Sequence, residues 1–187
     1  MTFTFTQENL EKAKLQLKKY PSDRKASAVK ALLDLAQRQN EGSLSQEAIE
    51  YVATFLEMPF IRVHEVATFY TMFNLKPVGK FHVQVCGTTP CMLRGAGELL
   101  AHCEEKLGIS CGDVTQDGLF GLCEVECVGA CVNAPVVKIN DDYYEDLNAE
   151  TLDKVLEALK EGKEVKIGSK AGRHSSEPQK DPKDQEA

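Results

Sequence analysis

Four cysteines stand in two closely spaced pairs in the central part of the chain. Cys86 and Cys91 form a C-x4-C pair, and Cys127 and Cys131 form a C-x3-C pair. Because 35 residues separate the pairs, they fall on different loops that can converge on one site. Soft thiolates match iron and sulfide, and each iron of a 2Fe-2S cluster takes two external ligands. The spacing therefore favours a 2Fe-2S site on these four residues, with one pair for each iron.

A structural zinc site in an interaction module without a redox role is the main alternative use of the same thiols. Such sites are usually built from C-x2-C pairs, and neither pair here has that spacing. A dithiol oxidoreductase of the thioredoxin type needs C-x-x-C, which is absent. Iron-sulfur is favoured over zinc on spacing, and zinc stays open at this point.

The remaining cysteines and the histidines fit packing better than chemistry. Cys103 shares a helical face with Leu99 and Leu107, and Cys123 lies within an alternating segment, so both are predicted to be core residues. Cys111 lies in a loop and is predicted to be a spare exposed thiol. The histidines have no mutual spacing that suggests a metal site: His64, His82, His102 and His174.

The composition excludes several classes of protein. A net charge of -7 and a pI near 5.2 argue against nucleic acid as a partner. No stretch approaches the ~18 to 20 apolar residues of a membrane span, so we expect no direct membrane insertion. Seven cysteines in a chain that starts without a recognisable targeting signal favour metal or thiol chemistry over a disulfide framework.

Hydrophobic periodicity predicts an α+β fold in which an N-terminal helical bundle precedes a thioredoxin-like α/β domain. Apolar residues at three- and four-residue spacing indicate helices between residues 7 and 76, with Ser45 as one N-cap and Met58-Pro59 ending the third helix. After the Pro/Gly break at 76–80 the pattern becomes β-α-β-β-α. We therefore expect domains at 1–78 and 79–162, followed by a polar tail at 163–187.

Two segments are candidates for a partner interface. The helix predicted at 61–73 carries more apolar surface than one buried stripe requires, so it is either a central core helix or faces a partner. Core packing is favoured, and both can hold on different faces; Tyr70 and Phe73 are the interface candidates on it. The tail has almost no apolar residues from Gly168 onward, so we expect it to be disordered alone or ordered against a partner. Glu124 and Glu126 should disfavour the extra negative charge of a reduced cluster, which predicts a low potential.

The sequence closely resembles the small thioredoxin-like 2Fe-2S ferredoxin subunit of respiratory complex I, the NADH:quinone oxidoreductase, in its mitochondrial and alphaproteobacterial form. The resemblance rests on VQVCGTTPCMLRGAGELL and VECVGACVNAPVVKINDDYYEDL. It extends back through AVKALLDLAQRQN and VHEVATFYTMFNLKPVGKFH and forward to AGRHSSEP.

The resemblance implies a non-catalytic electron-transfer subunit with a 2Fe-2S cluster on Cys86, Cys91, Cys127 and Cys131. It implies contact with the flavin subunit, which carries FMN and NADH, and with the large iron-sulfur subunit of a proton-translocating enzyme. The expected place is peripheral, on the cytoplasmic side of a bacterial inner membrane or the matrix side in mitochondria. The alternative within the family is the equivalent diaphorase subunit of an NAD-linked hydrogenase or formate dehydrogenase.

Overall fold

The chain forms two compact units, which divide between Lys80 and Phe81. The structure is a computed structural model and describes residues 3–173. The division lies two residues beyond the boundary expected at 78/79. Within residues 3–173, no helix is both long enough and apolar enough to cross a membrane.

The first unit is a helical bundle, as the sequence predicts. Its α-helices are α1 (Gln7–Leu17), α2 (Val29–Gln39), α3 (Gln46–Leu56) and α4 (Phe60–Phe69). The predicted cap of α3 is confirmed, because the hydroxyl of Ser45 accepts a hydrogen bond from the backbone N–H of Ala48 at 3.2 Å. Pro59 immediately precedes α4, where a backbone N–H would have no hydrogen-bond partner within the helix, so its absence does not destabilise the helix. The apolar faces meet in one core whose largest fully buried members are Leu32, Leu33, Val52 and Val63.

The fourth helix ends four residues earlier than the predicted helix at 61–73. It stops at Phe69, because Tyr70 has extended backbone angles and the following residues form turns. The side chain of Gln37 replaces the helical bonds: its amide donates to the carbonyl of Met72 at 3.0 Å and accepts from the N–H of Asn74 at 2.7 Å. Such a long-range side-chain bond leaves no local pattern in the sequence.

The end of α4 bears on both interface candidates. Phe73 is only 5% exposed and packs in the core of the bundle, in agreement with the core-packing alternative for this segment, and its contact with a partner stays a prediction. Tyr70 is half-buried, with the ammonium of Lys30 lying 4.2 Å from the centre of its ring. The outward aromatic side chain is that of Phe69, which is 76% exposed.

The second unit contains a mixed five-stranded sheet, counted over the residues that the structure describes. Its strands, in chain order, are β1 (Phe81–Cys86), β2 (Phe120–Val125), β3 (Val136–Ile139), β4 (Asp142–Glu145) and β5 (Gly168–Ser169). Their order across the sheet is β2-β1-β3-β4-β5. Strands β1 and β2 are parallel, β3 is antiparallel to β1 and to β4, and β5 is parallel to β4. The α+β class is thereby confirmed.

The helices that accompany the sheet are α5 (Thr89–Leu93), α6 (Ala96–Leu107) and α7 (Ala149–Lys160). Gly95 takes a positive φ of 93° and separates α6 from α5. Helices α6 and α7 lie side by side, with Nε2 of His102 2.8 Å from a carboxylate oxygen of Asp153. Buried residues of both helices join the sheet in one core, which includes Leu99, Cys103, Leu152, Val155 and Leu156.

The expectation that the tail is disordered when alone is wrong for residues 168–173. Gly168 and Ser169 form β5, and the N–H of Lys170 donates to the carbonyl of Glu145 at 2.9 Å. The expectation is based on the low apolar content of the segment. The segment is instead held on the sheet by backbone hydrogen bonds and by an ion pair between Arg173 and Asp146. The rest of the predicted tail, 174–187, lies outside the described residues.

Candidate metal centre

The fold brings the four predicted ligands to one edge of the sheet. Cys86 is the last residue of β1, and Cys91 follows in the short helix α5. Cys127 comes just after β2, and Cys131 opens a 3-10 turn. Strands β1 and β2 run in parallel with Cys86 opposite Val125, so both carboxyl ends meet at the same place. The convergence expected from the sequence follows from this register.

The contacts within the site connect the two pairs. The sulfur atoms of Cys127 and Cys131 are 3.4 Å apart. The hydroxyl of Thr88 lies 3.4 Å from the sulfur of Cys86 and also hydrogen-bonds to Cys127. A backbone N–H of the second loop, at Val128, donates to Cys86. The four thiols therefore form one constellation with shared hydrogen bonds.

Burial divides the constellation into an inner and an outer pair. Cys86 and Cys91 are each 1% exposed and belong to the core of the second unit. Cys127 and Cys131 are exposed. A group bound by all four would be anchored against the core on one side and would reach the surface on the other, as transfer of electrons to a partner requires.

The two thiols of the inner pair differ in the direction of their pKa shifts. Burial alone would raise the pKa of Cys86, but hydrogen bonds from Thr88 and from the N–H of Val128 hold it below its ordinary value. Burial and the neighbouring Cys86 raise the pKa of Cys91 to about 11. Binding of a metal at this pair would therefore release the proton of Cys91.

The outer pair shows the same division. Hydrogen bonds from the N–H of Gly129 and from Cys131 lower the pKa of Cys127. The hydrogen bond to Cys127 raises the pKa of Cys131. In each pair, hydrogen-bond donors thus lower the pKa of one thiol, and such donors also stabilise the thiolate form that binds a metal.

The donor arrangement fits a two-metal cluster better than a single ion. Four-thiolate zinc requires all the sulfurs to surround one point. The thiols instead occur as two pairs at one edge, and a 2Fe-2S cluster divides its four ligands in this way.

Two glycines near the ligands have different roles. The N–H of Gly129, at a positive φ of 86°, donates to the sulfur of Cys127 at 3.4 Å, as expected for a small residue beside a ligand. The N–H of Gly87 instead donates to the carbonyl of Val125 at 3.0 Å. A Cβ at Gly87 would lie 1.9 Å from a carboxylate oxygen of Glu124, so this glycine leaves room for that side chain.

The other cysteines lie outside the constellation. Cys103 is completely buried, as predicted, and Cys111 is exposed, as predicted. Cys123 is only partly buried, and its sulfur lies 3.1 Å from Nε2 of His82. No sequence pattern indicates this contact, because the two residues lie on neighbouring strands 41 positions apart.

The comparison with known proteins agrees with the fold and the site. The sequence profile of the thioredoxin-like [2Fe-2S] ferredoxins matches residues 13–160. The chain belongs to this family.

Two relatives are similar to this chain over most of its length. The chain is 60% identical over 158 residues to the E-type subunit of the NADH-quinone oxidoreductase of Rickettsia bellii, covering 84% of this chain and 95% of the relative. It is 50% identical over 175 residues to the mitochondrial NADH dehydrogenase [ubiquinone] flavoprotein 2 of Dictyostelium discoideum, covering 94% of this chain and 71% of that protein.

The fold also resembles part of a larger solved structure. An NAD+-reducing [NiFe]-hydrogenase in the air-oxidized state contains a chain that matches with a TM-score of 0.61 and 22% sequence identity. The match covers 70% of this chain and 23% of that chain. At this identity the likeness concerns the fold alone.

Proposed function

We propose that this chain is a one-electron carrier and a peripheral subunit of an NADH:quinone oxidoreductase. Its cluster site consists of Cys86, Cys91, Cys127 and Cys131. The observation that carries the proposal is the convergence of four thiols at the ends of two parallel strands, with one pair buried and one exposed. The names of the relatives at 60% and 50% identity support the assignment to this enzyme.

The chain's own residues hold and insulate the redox group. A bound 2Fe-2S cluster supplies reversible one-electron chemistry. Cys86 and Cys91 fix its inner side in the core, and the N–H of Gly129 stabilises negative charge on the sulfur of Cys127. We assign no acid-base or nucleophilic step to this subunit, and we place NADH and FMN on its partner.

The proposed partners are the flavin- and NADH-binding subunit and the large iron-sulfur subunit of the same enzyme. Large apolar side chains are exposed beside the ligands on both loops: Met92 at 56%, Leu93 at 75% and Val132 at 50%. Exposed apolar groups next to a redox site support docking of a protein partner there. We place the assembly on the cytoplasmic side of a bacterial inner membrane, or on the matrix side in mitochondria.

A diaphorase subunit of an NAD-linked hydrogenase or formate dehydrogenase would use the same site. Co-purification from the native source distinguishes the two, because a quinone-linked enzyme brings membrane subunits with it. The named relatives favour the quinone-linked enzyme.

The direct test is the metal content of the chain purified without oxygen. We expect about two irons and two acid-labile sulfides per chain and a spin-half EPR signal after reduction with dithionite. One zinc per chain without sulfide would refute the carrier role and leave the zinc-stabilised interaction module.

Replacing Glu124 with Gln should raise the midpoint potential of the cluster. The carboxylate lies against Gly87, next to Cys86, and its negative charge opposes the extra electron. Since Glu124 is exposed, we expect only a roughly two- to fivefold rise in the ratio of reduced to oxidised cluster at a fixed potential. A redox titration followed by EPR measures the ratio. Glu105→Gln, an exposed change of equal charge on α6, is the control, and equal potentials in both variants would contradict the role.

Replacing Phe69 with Ala should weaken binding to the flavin-binding subunit by about tenfold. The ring is 76% exposed on a unit whose core does not use it, so its removal should leave the bundle folded. Binding of the purified subunits can be measured by calorimetry. The control is Leu15→Ala, which removes another exposed side chain (59%) from the same unit. Undiminished binding of the folded Phe69 variant would remove the end of α4 from the interface.

A further inference from the structure

The last described residues return to the metal centre from the far edge of the sheet. After α7, residues 168–173, here termed the strap, add β5 beside β4 and end at Arg173. The guanidinium of Arg173 donates through Nη2 to the carbonyl oxygen of Val132 at 3.1 Å. Val132 directly follows the ligand Cys131. The strap therefore contacts the loop that carries the outer cysteine pair, residues 127–133, here termed the cluster loop.

Asp146 connects the strap and the cluster loop from a protected position. Its side chain is only 6% exposed and accepts hydrogen bonds from Nε of Arg173 at 3.0 Å and from the hydroxyl of Ser169 at 2.5 Å. Nη2 of Arg173 donates a second hydrogen bond to the other carboxylate oxygen of Asp146. The N–H of Asp146 donates to the carbonyl of Asn133 at 2.8 Å. Two successive carbonyls of the cluster loop are thus hydrogen-bonded, one by the guanidinium of Arg173 and the other by the backbone N–H of Asp146.

We infer that Arg173 is a positioning residue for the metal centre: together with Asp146 it fixes the cluster loop beside Cys131 and balances a buried carboxylate charge next to the site. The inference rests on the proposed function, because it concerns the bound cluster. A bidentate pair of guanidinium and carboxylate suits this role, since its planar geometry fixes orientation as well as charge.

The charges around Asp146 agree with this role. Burial alone would raise the pKa of Asp146, but the hydrogen bonds and the charge of Arg173 keep it below its ordinary value. Arg94 acts on the same carboxylate in the same direction. Removal of Arg173 would leave a nearly buried negative charge with only Arg94 to offset it. An added negative charge makes reduction of the cluster less favourable.

The test uses five variants of this chain purified without oxygen: four that remove charged groups, and Arg173→Lys, which keeps the charge. Arg173→Gln removes the positive charge, Asp146→Asn removes the negative one, and the double variant removes both. Lys166→Gln is the matched control, because it removes one exposed positive charge from the segment just before the strap. For each variant, iron and sulfide content, the EPR-monitored redox titration and the rate of iron loss to a chelator are measured.

We expect opposite shifts in the two single variants. At a fixed potential the ratio of reduced to oxidised cluster should fall about three- to tenfold in Arg173→Gln and rise by a similar factor in Asp146→Asn. It should return close to the wild-type value in the double variant, while all three variants lose iron faster than the control. Arg173→Lys keeps the positive charge but loses the planar guanidinium that bonds both carboxylate oxygens of Asp146. The midpoint potential of the cluster should therefore stay unchanged, while iron is still lost faster than in the control.

The outcomes separate this inference from the proposed function. Wild-type protein without iron and sulfide would overturn the proposed function and the inference with it. Wild-type protein with a full cluster, and Arg173→Gln with the potential and iron-loss rate of the Lys166 control, would overturn the inference alone. If the ratio of reduced to oxidised cluster shifted in the same direction in both single variants, the inference would also be overturned. Such a result would indicate a general destabilisation of the fold, which does not depend on the sign of the charge removed.

Discussion

Replacing Cys127 with Ala should lower the iron and sulfide of the anaerobically purified chain from about two each to about zero. Cys127 is the outer thiol whose sulfur accepts the N–H of Gly129, so its removal takes away a prepared ligand. The remaining thiols would leave one iron with a single external ligand. The expected EPR spectrum after reduction is silent, and the visible absorbance of the cluster is lost.

The matched control for this change is Cys111→Ser. Cys111 is also exposed, but its sulfur only accepts the N–H of Glu124 at 3.1 Å, which a serine oxygen can also do. We expect full iron and sulfide and an unchanged EPR signal. If Cys127→Ala kept a normal cluster, or if Cys111→Ser lost it, the proposed ligand set would be wrong.

Replacing Leu152 with Ala should destabilise the second unit by about 2 to 5 kcal/mol. Leu152 lies on α7, is completely buried and belongs to the core shared by the sheet, α6 and α7. Its truncation removes apolar contacts and leaves a cavity that close-packed neighbours fill only in part. Hydrogen exchange of the amides in β1 and β3 should report the change, with protection reduced by at least about 30-fold.

Ile167→Ala serves as the control for Leu152. Ile167 is 56% exposed, so its truncation should change stability by less than about 0.5 kcal/mol. Unchanged protection of β1 and β3 in the Leu152 variant would mean that α7 is not part of the cooperative core of this unit.

Most of the architecture could be predicted from the sequence, because it rests on local periodicity. A strand or helix that buries one face has apolar residues at a regular spacing, and this spacing is visible in the sequence. Examples are the alternation of Phe81, Val83 and Val85 and the helical spacing in α2. The end of α4 could not be predicted in this way, because the side chain of Gln37 forms hydrogen bonds with backbone groups that would otherwise continue the helix. The burial of Phe73 follows from that turn.

The ligand set could be predicted because paired thiols at short spacing have few other uses. The structure places those four together, although their binding of a cluster stays a proposal. The contacts of Arg173 with Asp146 and Val132 left no signal in the sequence, because they join residues that lie 27 and 41 positions apart in the chain. Polar contacts of this kind depend on the finished sheet and have no periodicity of their own.

The parallel pairing of β1 with β2 has a consequence for biogenesis. In an antiparallel hairpin neighbouring strands meet early, but here Phe81 pairs with Phe120 only after the intervening loop and α6 are in place. Closing such non-local contacts is slow compared with forming helices. During synthesis Cys86 and Cys91 emerge well before their counterparts, so a nascent chain exposes half a ligand set to solvent oxygen and stray metal ions. Cluster loading should therefore follow completed folding of this unit.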